Sequence, residues 1–188
     1  MARIRNRMIL GGSIAIGMAL VLAAPVYDRL TLSPKVPVSN LTQSVSVSEQ
    51  LTLDQVPRLK AQGFATIIDL RPDGEALGQP TAAAVEAVAN ANHMQFAYVP
   101  VPHGEIPDAA VLALQKALDD NRQPVLLYCR SGRRAARTWS LVEASREHGA
   151  DARAILAAVK HSGQSADDLS NQIGQRIAAR VHHTEETK

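Results

Sequence analysis

The sequence predicts a three-layer α/β domain with a mainly parallel sheet flanked by helices, preceded by an N-terminal hydrophobic helix. Three observations carry this. Mainly apolar runs at residues 65–70, 96–101 and 124–128 alternate with stretches of helical periodicity, the pattern that packs helices onto a parallel sheet. The 188 residues suffice for one domain with a proper core. Residues 8–24 are apolar or small throughout and follow Arg3, Arg5 and Arg7.

That first segment has two readings. As a helix it rises roughly 25 Å, at the short edge of what crosses a bilayer core, and Val26 and Tyr27 lengthen it. It is either an uncleaved signal anchor over residues 8–27, with the arginines on the cytoplasmic side, or a signal peptide cut near Ala23 or Ala24. Both place the remainder in a bacterial periplasm, anchored to the inner membrane in the first case and released in the second.

Residues 28–43, with Pro34, Pro37, Ser39 and Asn40, read as a linker. Residues 44–48 alternate Ser and Val, a short strand with one buried face. Thr52 caps a helix over 53–60 that turns Leu53, Val56 and Leu59 inward and stops at Gly63. The strand 65–70 runs into the polar turn Arg71-Pro72-Asp73-Gly74-Glu75, and Thr81 starts an alanine-rich helix ending near Asn92. The strand 96–101 leads through Pro102-His103-Gly104-Glu105-Ile106-Pro107 to a helix over 108–119, and the strand 124–128 delivers Cys129. Helices follow over 134–148 and 151–160. A third, capped by a box of Ser165 and Asp168, ends near Val181, so the domain spans 44–181 and 182–188 form a flexible tail.

Composition excludes several functions. The formal charge is +2, but no acid precedes Asp28, and from there on 17 basic residues face 18 acidic ones. Such a domain has no basic field for nucleic acid. A single cysteine excludes an internal disulfide framework and a multi-cysteine zinc site, and His182-His183 has no third ligand beside it. Neither metal nor organic cofactor is expected.

Cys129 ends an aliphatic strand and opens the loop Cys129-Arg130-Ser131-Gly132-Arg133-Arg134-Ala135, after which a helix begins. In an open α/β sheet this is the end where ligands bind. A helix N-terminus offers unpaired N–H groups and the positive end of its dipole, which together with arginines favour the thiolate over the thiol. Gly132 permits the tight turn, the amides of residues 130–135 form an anion-binding nest, and Arg134 can fork onto two anion oxygens. Arg130, Arg133 and Arg137 add positive field or face water. Thiolate, nest and arginine suit attack on phosphorus or sulfur. The plainer alternative is a small core cysteine followed by surface charge.

These residues also resemble a family. Ser44 to Thr52, Gly63-Phe64-Ala65-Thr66-Ile67-Ile68-Asp69-Leu70-Arg71-Pro72-Asp73-Gly74-Glu75, Gln79-Pro80, Val99-Pro100-Val101 and Tyr128-Cys129-Arg130-Ser131-Gly132-Arg133-Arg134 are similar, over roughly residues 40–160, to the phosphatase-like domain of beta-lactamase hydrolase-like proteins. The resemblance implies a fold akin to dual-specificity phosphatases, with Cys129 as nucleophile and Arg134 as phosphate clamp. Some members are named sulfurtransferases. Tyrosine-phosphatase loops put five residues between cysteine and arginine, whereas here Arg134 comes one place early and Ala135 stands where the family usually has a hydroxyl.

The expected activity is hydrolysis of a phosphate ester through a phosphocysteine, on a small anionic or phosphorylated substrate. Asp73, ranked first, or His103, second, is the expected general acid. Arg130, Ser131, Gly132, Arg133 and Ala135 complete the cradle. Sulfur transfer through a Cys129 persulfide and non-catalytic anion binding are the alternatives.

Overall fold

A computed structural model describes residues 34–186; the segment 8–27, with its anchor and signal-peptide readings, lies outside them. Among the described residues no helix is long and apolar enough to cross a membrane. Contacts divide the chain after Lys35, and the unit from Val36 onward carries the fold.

Five strands form one mixed sheet: β1 (Ser39–Asn40), β2 (Val45–Ser48), β3 (Thr66–Asp69), β4 (Gln95–Tyr98) and β5 (Val125–Tyr128), in the order β1-β2-β5-β3-β4. Only β1 runs antiparallel to its neighbour; the other pairs are parallel. Strand β5 therefore lies at the centre, with Val47 and Ile68 both level with Leu127. Its side chains alternate between two cores, as a pleated strand covered on both faces requires. Leu126 and Tyr128 join Ile67 beneath α1 (Val56–Ala61) and α2 (Ala82–Ala91). Val125, Leu127 and then Cys129 face the opposite core, built with α3 (Asp108–Asp120), α4 (Arg133–Ser145), α5 (Ala152–His161) and α6 (Ser170–Glu186). Helix α4 is buried along most of its length through Ala135, Ala136, Trp139, Leu141 and Val142.

Several expectations need correction. The linker ends before Val36: Val36 and Leu41 are buried, and Ser39–Asn40 pairs with the sheet. The Gln62 side chain accepts from Val36 N–H at 2.7 Å and donates to its carbonyl at 3.2 Å, tying this stretch to the domain as a strand neighbour would. Ser46 and Ser48 are buried too, so both faces of β2 are covered, and Ser46 Oγ finds Asn40 Oδ1 at 2.9 Å. Leu53 is 39% exposed because Leu53–Gln55 forms a 3₁₀ turn ahead of α1, which rotates it off the buried face. Asp168 forms no capping box, since its carboxylate pairs with Arg137. Helix α6 extends through the expected tail to Glu186.

Candidate active site

The end of β5 and the start of α4 place Cys129 at the floor of a cleft of about 450 Å³, lined by Pro102, His103, Gly104, Ile106, Cys129, Arg130, Ser131, Arg133, Arg134 and Arg137. Cys129 is a free thiol with 1% of its surface exposed, so it is reached only through this opening. The N–H groups of Arg133, Arg134 and Ala135 open α4 and have no helical acceptor.

The loop is braced from outside. Gln50 N–H donates to the Arg130 carbonyl at 3.3 Å, Glu49 bridges to Ser131, and Gln164 Nε2 donates to the Ser131 carbonyl at 3.1 Å. Gly132 turns the chain at φ +80° into α4, a conformation that L side chains avoid. A Cβ there would lie 3.2 Å from Gln164 Nε2 and 3.4 Å from the Ser48 carbonyl. Gly132→Ala is therefore expected to destabilise the fold by about 1–2 kcal/mol, measurable by urea unfolding.

Arg134 is fixed by three acceptors. Its Nη1 donates to the Val101 carbonyl at 2.8 Å and pairs with Glu75 Oε1 at 2.9 Å, while Nη2 reaches Glu75 Oε2 at 3.2 Å. Glu75 is shared with Arg71, whose Nε lies 3.0 Å from Oε2 and whose Nη1 donates to Gln50 Oε1 at 2.8 Å. Burial pushes the Glu75 carboxyl up, but the bonds from Arg134 and Arg71 together outweigh it and hold the carboxyl below its usual range. Arg137 is likewise engaged, donating through Nη2 to Asp168 Oδ2 at 2.8 Å. The bond from Arg137, the largest cause, lowers the Asp168 carboxyl.

The structure thus brings together Cys129, Arg130, Ser131, Arg133, Arg134 and His103. Three expected residues stand elsewhere. Asp73, the acid ranked first, does not line the cleft: its Oδ1 accepts from Ala82 N–H at 2.8 Å and its own N–H donates to Tyr98 Oη at 2.9 Å. The opening N–H groups of α2 lack helical acceptors, so Asp73 serves Ala82 while Thr81 Oγ1 serves Ala84. Gly132 lines a second, smaller cleft behind the loop. The Ala135 side chain is fully buried in the core, leaving only its N–H for the cradle. Of the other acids near the loop, Asp108 is paired with Arg176 of α6. Among the described residues no three histidines, cysteines or carboxylates stand together as metal ligands.

Sequence reasoning missed Glu75 and Gln164. Glu75 had a signal, since Arg71 and Glu75 are four apart in a turn at a strand's carboxyl end. Gln164 had none, because its partner lies 33 residues away.

One buried acid sits beneath the site. Asp69 Oδ1 accepts from Arg71 N–H at 2.8 Å, so it shapes the turn that carries Arg71 and Glu75. Its Oδ2 and Tyr128 Oη, on residues level across the β3–β5 ladder, are both buried without a partner in full hydrogen-bond geometry. The two groups approach closely enough for the phenol to favour the carboxylate, yet burial dominates and raises the Asp69 pKa from 3.8 to about 6. Burial, then the Asp69 charge, raises the Tyr128 phenol as well. Because the folded pKa of Asp69 exceeds the unfolded one, its proton stabilises the fold below about pH 4, and that contribution is lost as pH rises through about 6. The gap corresponds to on the order of 2–3 kcal/mol. Asp69→Asn is thus expected to raise Tm at pH 8 and to give little gain at pH 4; an equal gain at both values contradicts the assignment.

A strand-loop-helix thiol under an arginine-lined cleft, on a mixed sheet covered by helices on both faces, defines a phosphatase-like α/β fold. The chain belongs to the family of the phosphatase-like domain of beta-lactamase hydrolase-like proteins, whose family model matches residues 38–146. A beta-lactamase hydrolase-like protein of Agrobacterium fabrum is 34% identical over 104 residues, 55% of this chain and 24% of the relative. The chain spans about a quarter of the length of the curated relatives it matches. Among solved structures, a Neisseria meningitidis Z2491 protein provisionally assigned as a phosphatase superposes with TM-score 0.64 at 24% identity, covering 73% of this chain and 96% of that one. Tk-PTP in its active form gives TM-score 0.60 at 15% identity, covering 76% and 97%. At these identities the likeness to solved structures is one of fold.

Proposed function

We propose that this chain is a cysteine-dependent phosphoric monoester hydrolase. The observation that carries the reading is the placement of Cys129 at the floor of a cleft lined by four arginines and no carboxylate, beside an Arg134 already fixed in position. Cys129 Sγ attacks phosphorus, the bond to the leaving oxygen breaks, and a phosphocysteine forms. The end-on edge of Arg134 is occupied by Glu75, which leaves Nε–H and the outer Nη2 hydrogen as a side-on fork for two phosphoryl oxygens. The opening N–H groups of α4 serve the developing charge. Water then attacks phosphorus, releasing phosphate and returning the thiolate.

The geometry favours His103 over Asp73 as the group that protonates the leaving oxygen, because His103 lines the cleft and Asp73 caps a helix. Esters with basic leaving groups depend on such a donor, because their alkoxide or phenolate departs only as it gains a proton. His103→Gln is expected to slow phenyl phosphate by roughly 10²-fold. It should slow p-nitrophenyl phosphate much less, since p-nitrophenolate departs without a proton. Equal losses on both esters would give the role to another group.

The absence of a carboxylate from the cleft's lining favours a second reading, sulfur transfer, which needs no general acid. There Cys129 attacks the sulfane sulfur of thiosulfate, sulfite leaves, and cyanide removes the persulfide sulfur as thiocyanate. Assays of the purified full chain with aryl phosphate, and separately with thiosulfate and cyanide, separate the two. Release of phosphate supports the hydrolase; thiocyanate without phosphate supports the transferase. Membrane attachment through residues 8–27 and a periplasmic site belong to the same proposal, and a mature N-terminus near Val26 in protein from cells contradicts the anchor.

A further inference from the structure

The cleft holds more positive charge than one phosphoryl group requires. Arg134 and the first N–H groups of α4 suffice for the transferred group, yet Arg130, Arg133 and Arg137 also line the cleft. Arg137 is neutralised by Asp168, as Arg134 is by Glu75. Arg130 and Arg133 are exposed, and their side chains make no ion pair or hydrogen bond among the described residues; Arg133 feels Asp168 only through its longer-range field. This surplus is local, because from Asp28 onward acids outnumber bases by one.

The placement of the surplus is equally particular. Arg130 follows the nucleophile directly, and Arg133 opens α4 one residue before the clamp Arg134. Arg133 and Arg137 lie one helical turn apart, so their stems leave the same face at a spacing of about 6 Å. The two unpaired guanidiniums, Arg130 and Arg133, line the same cleft as Cys129 and the clamp Arg134. Guanidinium forks match phosphate oxygens. No phenylalanine, tyrosine or tryptophan lines the cleft to hold a phosphotyrosyl ring, and about 450 Å³ suits a small molecule.

We propose that the substrate is a small molecule carrying two phosphates on neighbouring atoms: one transferred at Cys129, the other held by Arg130 and Arg133. This rests on the hydrolase reading for the first phosphate but is tested by binding, independently of turnover. The full chain carrying Cys129→Ser is titrated calorimetrically with 2,3-bisphosphoglycerate, with 3-phosphoglycerate and with glycerol 3-phosphate, which separate a second phosphate from a carboxylate and from a lone phosphate. The bisphosphate is expected to bind at least about tenfold more tightly than either monophosphate. In the same background, Arg130→Gln with Arg133→Gln should remove most of that preference while Tm stays unchanged, since neither side chain makes a bond in the fold. Equal affinity for all three ligands overturns the proposal, as does a preference that survives both substitutions. If 3-phosphoglycerate matches the bisphosphate, the second group is a carboxylate and the proposal fails. If a phosphotyrosyl peptide outcompetes the bisphosphate, the substrate is a protein and it fails as well. A preference that depends on the arginines, in a wild-type chain that releases no phosphate, keeps the subsite and sinks the hydrolase. Turnover without preference does the reverse.

Discussion

Cys129→Ser is expected to lower aryl phosphate turnover by roughly 10⁴-fold or more, with saturable binding of phosphate retained. A serine hydroxyl has the reach of the thiol, but it stays protonated and needs a base to become nucleophilic. Among the residues lining the cleft only His103 is a candidate base, and it lies on the rim loop while Cys129 is at the floor. The substitution also puts a hydroxyl where 1% of the surface is exposed, which costs on the order of 1–2 kcal/mol, so unfolding should be measured beside turnover. A folded Cys129→Ser protein with wild-type turnover would remove the thiol from the chemistry.

Arg134→Lys is expected to cost roughly 10²–10³-fold in kcat/KM. The physical reason is the number of tasks this guanidinium performs at once. It binds the Val101 carbonyl and both oxygens of Glu75, and in the proposed mechanism its remaining edge must also hold two phosphoryl oxygens. An ammonium has three donors and no plane, so it either keeps the link to Glu75 or serves the phosphate. The buried face of the Arg71–Glu75–Arg134 chain makes a partial loss costly, since Arg71 is 5% exposed and Glu75 would lose one of its two cations. Steady-state kinetics on aryl phosphate check this, and a lysine variant within a few-fold of wild type contradicts the clamp.

The parts of this site that were legible in the sequence are the contiguous ones. An aliphatic strand, a thiol, a glycine three places on and a helix start are local facts, and β5, Cys129, Gly132 and α4 follow from them. What a side chain points at was not legible wherever the answer depended on another element's unpaired groups. Asp73 and His103 both follow strand ends, and the bond between Asp73 and Ala82 N–H is what separates them. The same holds at the edge of the sheet. Residues 36–43 carry a linker-like proline, Pro37, and several polar residues, yet Gln62 and β2 supply the partners that make Ser39–Asn40 a strand. Leu53 obeyed helical spacing on paper, but the first turn is 3₁₀ and carries it outward.

The central claim is that the thiol at the end of β5 becomes covalently bonded to the transferred group. Rapid acid quenching of the full chain during turnover of an aryl phosphate, followed by peptide mass spectrometry, tests it directly. The expected result is a fraction of the Cys129 peptide heavier by one phosphoryl group, absent from Cys129→Ser and discharged when substrate runs out. Steady release of phosphate with Cys129 unmodified at every quench time would contradict it.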